Sequence, residues 1–234
     1  MKSCTVAVII PAYNEELRIG TVLKAATKCK YVDEIIVVSD ASQDRTAAVA
    51  KTFGVRVIEL PFNTGKGGAM AAGVAATNAT IIAFADADLL GLKPEHLDRI
   101  IKPILEDRCD MCIGIFRGGK FWSDTAQRIS PYISGQRALK RELFDSIPFL
   151  GEMRMGVEVT INTYAKRAKA RILRVVLHGV SNTFKEKKLG LVKGVTARTK
   201  MYAEIGRAMV RMRRKRAKKP RKSTWKPGKK NNAE

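Results

Sequence analysis

Long apolar runs are missing from this 234-residue chain, and none approaches the roughly 20 residues that a bilayer core requires. The short apolar segment after Met1-Lys2 reads as a first β-strand, not as a signal peptide. A soluble, cytoplasmic chain is therefore expected. Cysteine is scarce, with Cys4, Cys29, Cys109 and Cys112 beside apolar segments and in no disulfide-like spacing, so reduced thiols are expected. Cys109-Asp110-Met111-Cys112 has the form of a C-x-x-C, but in a strand residues three apart point to opposite faces, which argues against redox or zinc chemistry. Aromatics make up only 6% of the chain, too few to interleave with basic residues as a nucleic-acid surface needs. No G-x-x-x-x-G-K-[ST] loop is present, so this is not a Walker P-loop, and the lack of a G-x-G-x-x-G after the first strand argues against a Rossmann dehydrogenase. Acidic residues are also few: 22 against 44 Lys and Arg, a formal charge of +22. The segment from Arg207 to Glu234 holds +12 of this and the preceding 206 residues +10, so a basic tail follows a moderately basic body.

Short apolar runs alternate with longer amphipathic ones through the first half. Thr5 to Ile10, Glu34 to Val38, Val55 to Leu60, Ile81 to Ala85 and Met111 to Phe116 read as buried strands. Glu15 to Cys29, Gln43 to Phe53, Gly67 to Thr77 and Pro94 to Leu105 read as helices, with Ser42 capping the second and Pro94 opening the fourth. Later, Gln136 to Ser146 and Gly156 to Lys169 read as helices and Ile172 to Leu177 as a strand. The alternation implies an α/β fold built on βαβ crossovers, a mostly parallel sheet with helices on both faces. Such sheets gather ligands at the carboxyl ends of their strands.

Four polar loops fall on that rim: Pro11 to Glu15, Ser39 to Asp44, Asn63 to Gly68, and Asp86-Ala87-Asp88. Two carboxylates one residue apart at a strand end suit Mg²⁺ or Mn²⁺, hard cations that take oxygen ligands and keep positions open for phosphate oxygens. Lys66 lies among glycines that permit close backbone approach to a phosphate. Asp40 can accept hydrogen bonds from a base N–H, while Ser42 and Asp44 can cap the helix behind it. Together these loops describe a nucleoside-diphosphate site.

Val8-Ile9-Ile10-Pro11-Ala12-Tyr13-Asn14-Glu15, Val38-Ser39-Asp40-Ala41-Ser42-Gln43-Asp44, Asn63-Thr64-Gly65-Lys66-Gly67 and Phe84-Ala85-Asp86-Ala87-Asp88 resemble, in order, the motifs of family 2 glycosyltransferases with the GT-A fold. The resemblance implies that Pro11, Tyr13 and Glu15 line the nucleotide, Asp40 reads its base, Lys66 lies near it, and Asp86 and Asp88 bracket the diphosphate and an Mg²⁺ or Mn²⁺ ion. It implies a nucleoside-diphosphate sugar as donor, UDP-glucose or GDP-mannose. In the second half, Gly114 to Arg117, Ser134 to Arg141 and Gly156-Val157-Glu158 resemble segments of polyprenyl-phosphate sugar transferases and, less closely, of glucosyl-3-phosphoglycerate synthase; Ser134-Gly135-Gln136-Arg137 matches a Ser-Gly-Phe-Arg segment. Some relatives place a metal-binding histidine near the last strand, a position that His178 and Asn182 match about equally.

The expected organisation is one GT-A domain over residues 1–190, with a nucleotide-sugar half (1–116) and an acceptor half (117–190). A hydroxyl acceptor needs a carboxylate base, for which Glu152 and Glu158 are the candidates beside Asp88 in the catalytic set. A phosphate acceptor needs cations instead, and Arg117, Lys120, Arg128 and Arg137 suit it. A phosphorylated acceptor, polyprenyl phosphate among the options, is the expectation, and Trp122 is a candidate cover for it. Met201, Ile205, Ala208, Met209 and Met212 form an apolar stripe on a basic helix over 191–217, followed by a disordered basic tail over 218–234. That helix suits the anionic inner face of a membrane, or packing on the domain. Nucleic-acid binding and a catalytically silent scaffold are the competing classes, and a homodimer is compatible with the sequence.

Overall fold

The computed structural model describes residues 4–117, 135–148, 150–153 and 156–182. Strands β1 (Val6–Ala12), β2 (Glu34–Ser39), β3 (Arg56–Glu59), β4 (Ile81–Phe84), β6 (Met111–Arg117), β7 (Arg137–Lys140) and β8 (Ile172–His178) form one sheet in the order β3-β2-β1-β4-β7-β6-β8. β5 (Leu89–Leu90) and β9 (Ser181–Asn182) pair separately and antiparallel. β1 runs parallel to β2 and β4, β2 to β3, and β6 to β8, whereas β7 is antiparallel to both its neighbours.

The β1 sequence alternates between two cores. Val6, Val8, Ile10 and Ala12 face the core covered by α1 (Ile19–Ala26), α2 (Thr46–Lys51) and α4 (Pro94–Leu105). Ala7 and Ile9 face the one covered by α3 (Gly65–Ala75), α5 (Arg141–Asp145) and α6 (Val157–Arg167). A proline in a central strand costs a ladder hydrogen bond unless its nitrogen faces no partner. Pro11 meets that condition, because it shares the parity of Ile9, which faces β4, and β4 ends opposite Ile9.

Two expectations are corrected. The segment from Gln136 to Ser146 is not one helix: Arg137–Lys140 is a fully interior strand, and only Arg141–Asp145 is helical. Its basic residues resemble a solvated helix face, but position between β4 and β6 overrides local propensity. Cys109 and Cys112 do not point to opposite faces of a strand, since Cys109 precedes β6 and both thiols lie in the same core. They are free and buried there. Lys120, Trp122, Arg128 and the segments 191–217 and 218–234 lie outside the described residues. Among the described residues, no helix is long and apolar enough to cross a membrane.

Candidate active site

Topology brings four separate segments to one point on the rim. Parallel β4 ends at Phe84 and delivers Asp86, and the N-terminus of antiparallel β7 arrives beside it, with Phe84 opposite Arg137. The first turn of α3 contributes Lys66, and the first turn of α6 contributes Glu158. Lys66 Nζ lies 2.5 Å from Asp86 Oδ1 and also bonds Glu158 Oε1. On the other side Gln136 Nε2 donates to Asp86 Oδ2 at 2.9 Å. Gly135 makes this approach feasible, because a Cβ there would overlap both carboxylate oxygens of Asp86.

The electrostatics follow from burial and pairing. Burial opposes the Lys66 ammonium, but the attraction of Asp86 and Glu158 prevails and holds its pKa above the usual lysine value. Burial likewise opposes the Asp86 carboxylate; the charge and hydrogen bond of Lys66, the Gln136 amide and the charge of Arg137 reverse this, and its pKa lies below the usual range. Arg137 is wholly buried, and its Nη1 donates to Glu158 O at 3.3 Å and to Asn162 Oδ1 at 3.0 Å. It is therefore a charge beneath the site and not a surface group awaiting an acceptor phosphate, because β7 is an interior strand and not a solvated helix.

The nucleotide-side loops are tied to one another. Asn14 N donates to Ser42 Oγ (3.1 Å), Gln43 N to Asn14 Oδ1 (2.8 Å), Glu15 N to Thr46 Oγ1 (2.7 Å) and Glu16 N to Asp44 Oδ2 (3.1 Å). Ser42 thus holds the neighbouring loop and does not cap α2, whereas Asp44 accepts from Thr46 N at 2.9 Å in that helix's first turn. Tyr13 projects from this platform 47% exposed, and the Glu15 side chain lies near Arg18. Asp40 differs from expectation. It is buried, and its carboxylate accepts Thr64 N (2.7 Å), Thr64 Oγ1 (2.8 Å) and Gly65 N (2.8 Å), which caps α3 from outside the helix.

Asp88 lies in the turn before β5, two residues beyond Asp86. Asn182 pairs with Leu89, so its backbone stands beside Asp88, while His178 ends the outermost strand, exposed and close to His96 of α4. Arg117 ends β6 opposite His178. Glu152 is exposed and shares a depression of about 510 Å³ with Arg141, Phe144 and Asp145; its neighbour Met153 accepts Gly67 N at 2.9 Å beside Lys66, but the Glu152 side chain is not among the groups bonded to the lysine. Gln136 was not foreseen as a site residue. A polar side chain where the resembled segment carries phenylalanine is the signal that marks it.

Comparison with known proteins finds relatives in both sequence and fold. The family model described as glycosyl transferase family 2 matches residues 7–162. Glucosyl-3-phosphoglycerate synthase of Mycolicibacterium smegmatis is 28% identical over 207 residues, covering 74% of this chain and 68% of that protein. Dolichyl-phosphate beta-glucosyltransferase of Drosophila melanogaster is 41% identical over 102 residues, but those span only 37% of this chain and 31% of the fly protein. The crystal structure of the Mycobacterium tuberculosis glucosyl-3-phosphoglycerate synthase with Mn²⁺, UDP and glucosyl-3-phosphoglycerate superimposes with a TM-score of 0.66 at 27% identity, covering 77% of this chain and 72% of that one.

Proposed function

Because this chain belongs to glycosyl transferase family 2, we propose that it moves a hexosyl group from a nucleoside-diphosphate sugar, UDP-glucose before GDP-mannose, to a phosphorylated acceptor. One observation carries the reading: Asp86, the first carboxylate of the Asp86–Asp88 couplet beyond the carboxyl end of β4, is bonded to Lys66 on the rim where the four polar loops fall.

The donor set fits Mg²⁺ or Mn²⁺. Asp86 and Asp88 lie one residue apart beyond the end of β4, and a pair of carboxylates would leave the remaining positions to diphosphate oxygens and water, which suits these cations. Asp86 and Asp88 would hold the ion, with His178 and Asn182 the two candidates for a further donor. When bound, it neutralises charge on the leaving nucleoside diphosphate. Tyr13 and the platform of residues 13–16 and 42–46 would seat the base and ribose, and Lys66 would meet the phosphates.

Two acceptor chemistries follow from the relatives. The fly relative is named for dolichyl phosphate, and a phosphate oxygen attacks as an anion without a base. The mycobacterial synthase was crystallised with phosphoglyceric acid, and a hydroxyl of such an acid would need Glu158, the carboxylate that reaches the cluster. Basic residues of the acceptor half, Arg117 among them, suit either phosphate, and the basic segment beyond residue 190 suits an anionic membrane surface. The test is product mass spectrometry after incubation with UDP-glucose or GDP-mannose, Mn²⁺, and either dolichyl phosphate or 3-phosphoglycerate. Metal-dependent transfer to one of them is expected; absence of both transfer and donor hydrolysis overturns the proposal.

A further inference from the structure

Both oxygens of Asp86 are gripped from opposite sides: Oδ1 by the Lys66 ammonium at 2.5 Å, and Oδ2 by the Gln136 amide at 2.9 Å. From this we infer that Gln136 is a positioning residue for the donor site, one that fixes the plane of the Asp86 carboxylate and so the direction of its remaining lone pairs. The inference rests on the reading of this rim as a metal–nucleotide site.

Three features make Gln136 a fixed donor and not an incidental neighbour. It is wholly buried at the start of an interior strand. Its own carbonyl accepts Gly114 N at 2.9 Å, which anchors its backbone to β6. Gly135 before it has no room for a side chain, because the carboxylate of Asp86 fills that space. A carboxylate only accepts hydrogen bonds, so the NH₂ end of the amide must face it.

Lys66 alone does not set the plane. Its ammonium is a point charge on a flexible stem, shared with Glu158. With one grip, the carboxylate can turn about its Cβ–Cγ bond; with two grips on two oxygens, it has one orientation. Such outer-shell hydrogen bonds to metal-binding carboxylates are worth about 10–100-fold in metal affinity.

Gln136→Met is nearly isosteric, removes the donor and leaves the nucleotide platform untouched. Calorimetric titration of UDP should be run on wild type and variant, once with EDTA and once with saturating Mn²⁺. The metal-free UDP affinity is expected to stay within about twofold of wild type, while the enhancement given by Mn²⁺ falls about tenfold or more. An unchanged enhancement overturns the inference, and so does an equal loss with and without metal, which marks a purely structural role. Should Gln136→Met not fold, Gly135→Ala displaces Asp86 from the same side and is expected to show the same selective loss; a retained enhancement there is equally fatal. If the wild type itself shows no Mn²⁺-linked nucleotide binding, the reading of the site fails and takes this inference with it.

Discussion

Asp110 and Arg171 lock the start of β6 to the start of β8, at the end of the sheet opposite the candidate site. The buried Asp110 carboxylate accepts Arg171 N (2.9 Å), Nε (3.2 Å) and Nη2 (2.9 Å), and Lys140 Nζ at the end of β7 lies 3.1 Å from it. One carboxylate thereby joins three adjacent strands. Removing Asp110 leaves Arg171 and Lys140 with the largely exposed Asp107 as their carboxylate partner, at 2.6 and 2.7 Å. Asp110→Ala is expected to lower stability by about 2–4 kcal/mol, less than a fully buried pair because Lys140 is partly solvated. Urea denaturation of the two proteins checks this; a change below about 1 kcal/mol would contradict the account.

The same cluster sets an acid limit. Burial raises the pKa of Asp110, but hydrogen bonds from Arg171 and Lys140 outweigh this and hold it below the usual range. Lys140 and Arg171 lower that of Asp107 too, and Lys66 that of Asp86. A carboxylate depressed in the folded state contributes stability above its unfolded pKa of about 3.9, and this is lost as pH falls through the folded value. The melting temperature should therefore fall steeply below about pH 4. Asp110→Asn should melt lower at neutral pH and show a shallower acid fall, read by melting curves from neutral pH to pH 3.

Asp40 separates capping from base recognition. Its three hydrogen bonds to Thr64 and Gly65 satisfy the N-terminus of α3, the helix that carries Lys66. Asp40→Ala should cost about 1–2 kcal/mol of stability and weaken UDP and GDP to a similar extent, since the fault lies in Lys66 placement. Fluorescence-detected unfolding and nucleotide titrations report the two effects. A loss confined to one base, with stability unchanged, would restore the role expected of Asp40 from its motif.

The βα alternation was legible because parallel strands buried on both faces must be continuously apolar and their crossovers amphipathic. Pro94–Leu105 matches its expected helix to the residue. The segment from Gln136 to Ser146 was not legible, because nothing local shows that Arg137 is enclosed between β4 and β6. Burial of that arginine needs Asn162 and the Glu158 carbonyl, both more than 20 residues away. The motifs located the rim loops and the neighbourhood of Asp86 and Lys66. They did not reveal that the Asp40 carboxylate accepts hydrogen bonds from within the fold, since a capping acceptor 24 residues away has no sequence spacing of its own.

Glu152 and Glu158 are equivalent candidates for a base in sequence terms but not in space. Glu158 is 13% exposed at the side chain and bonded to Lys66, which also binds Asp86, whereas Glu152 is exposed beside Arg141 and Phe144. Glu152→Gln should stay within about twofold of wild-type kcat/KM, as exposed changes that break no buried network usually do. For Glu158→Gln the size of the loss reports the nucleophile. If a phosphate oxygen attacks, no base is needed, and the variant suffers only from a Lys66 that has lost one of two carboxylates, about tenfold. If a hydroxyl attacks, the variant loses proton removal as well, about 10²–10⁴-fold, mostly in kcat. Steady-state kinetics with dolichyl phosphate and with 3-phosphoglycerate distinguish these outcomes, and a Glu152 variant as impaired as the Glu158 one would show that the Lys66 cluster is not where the sugar is transferred.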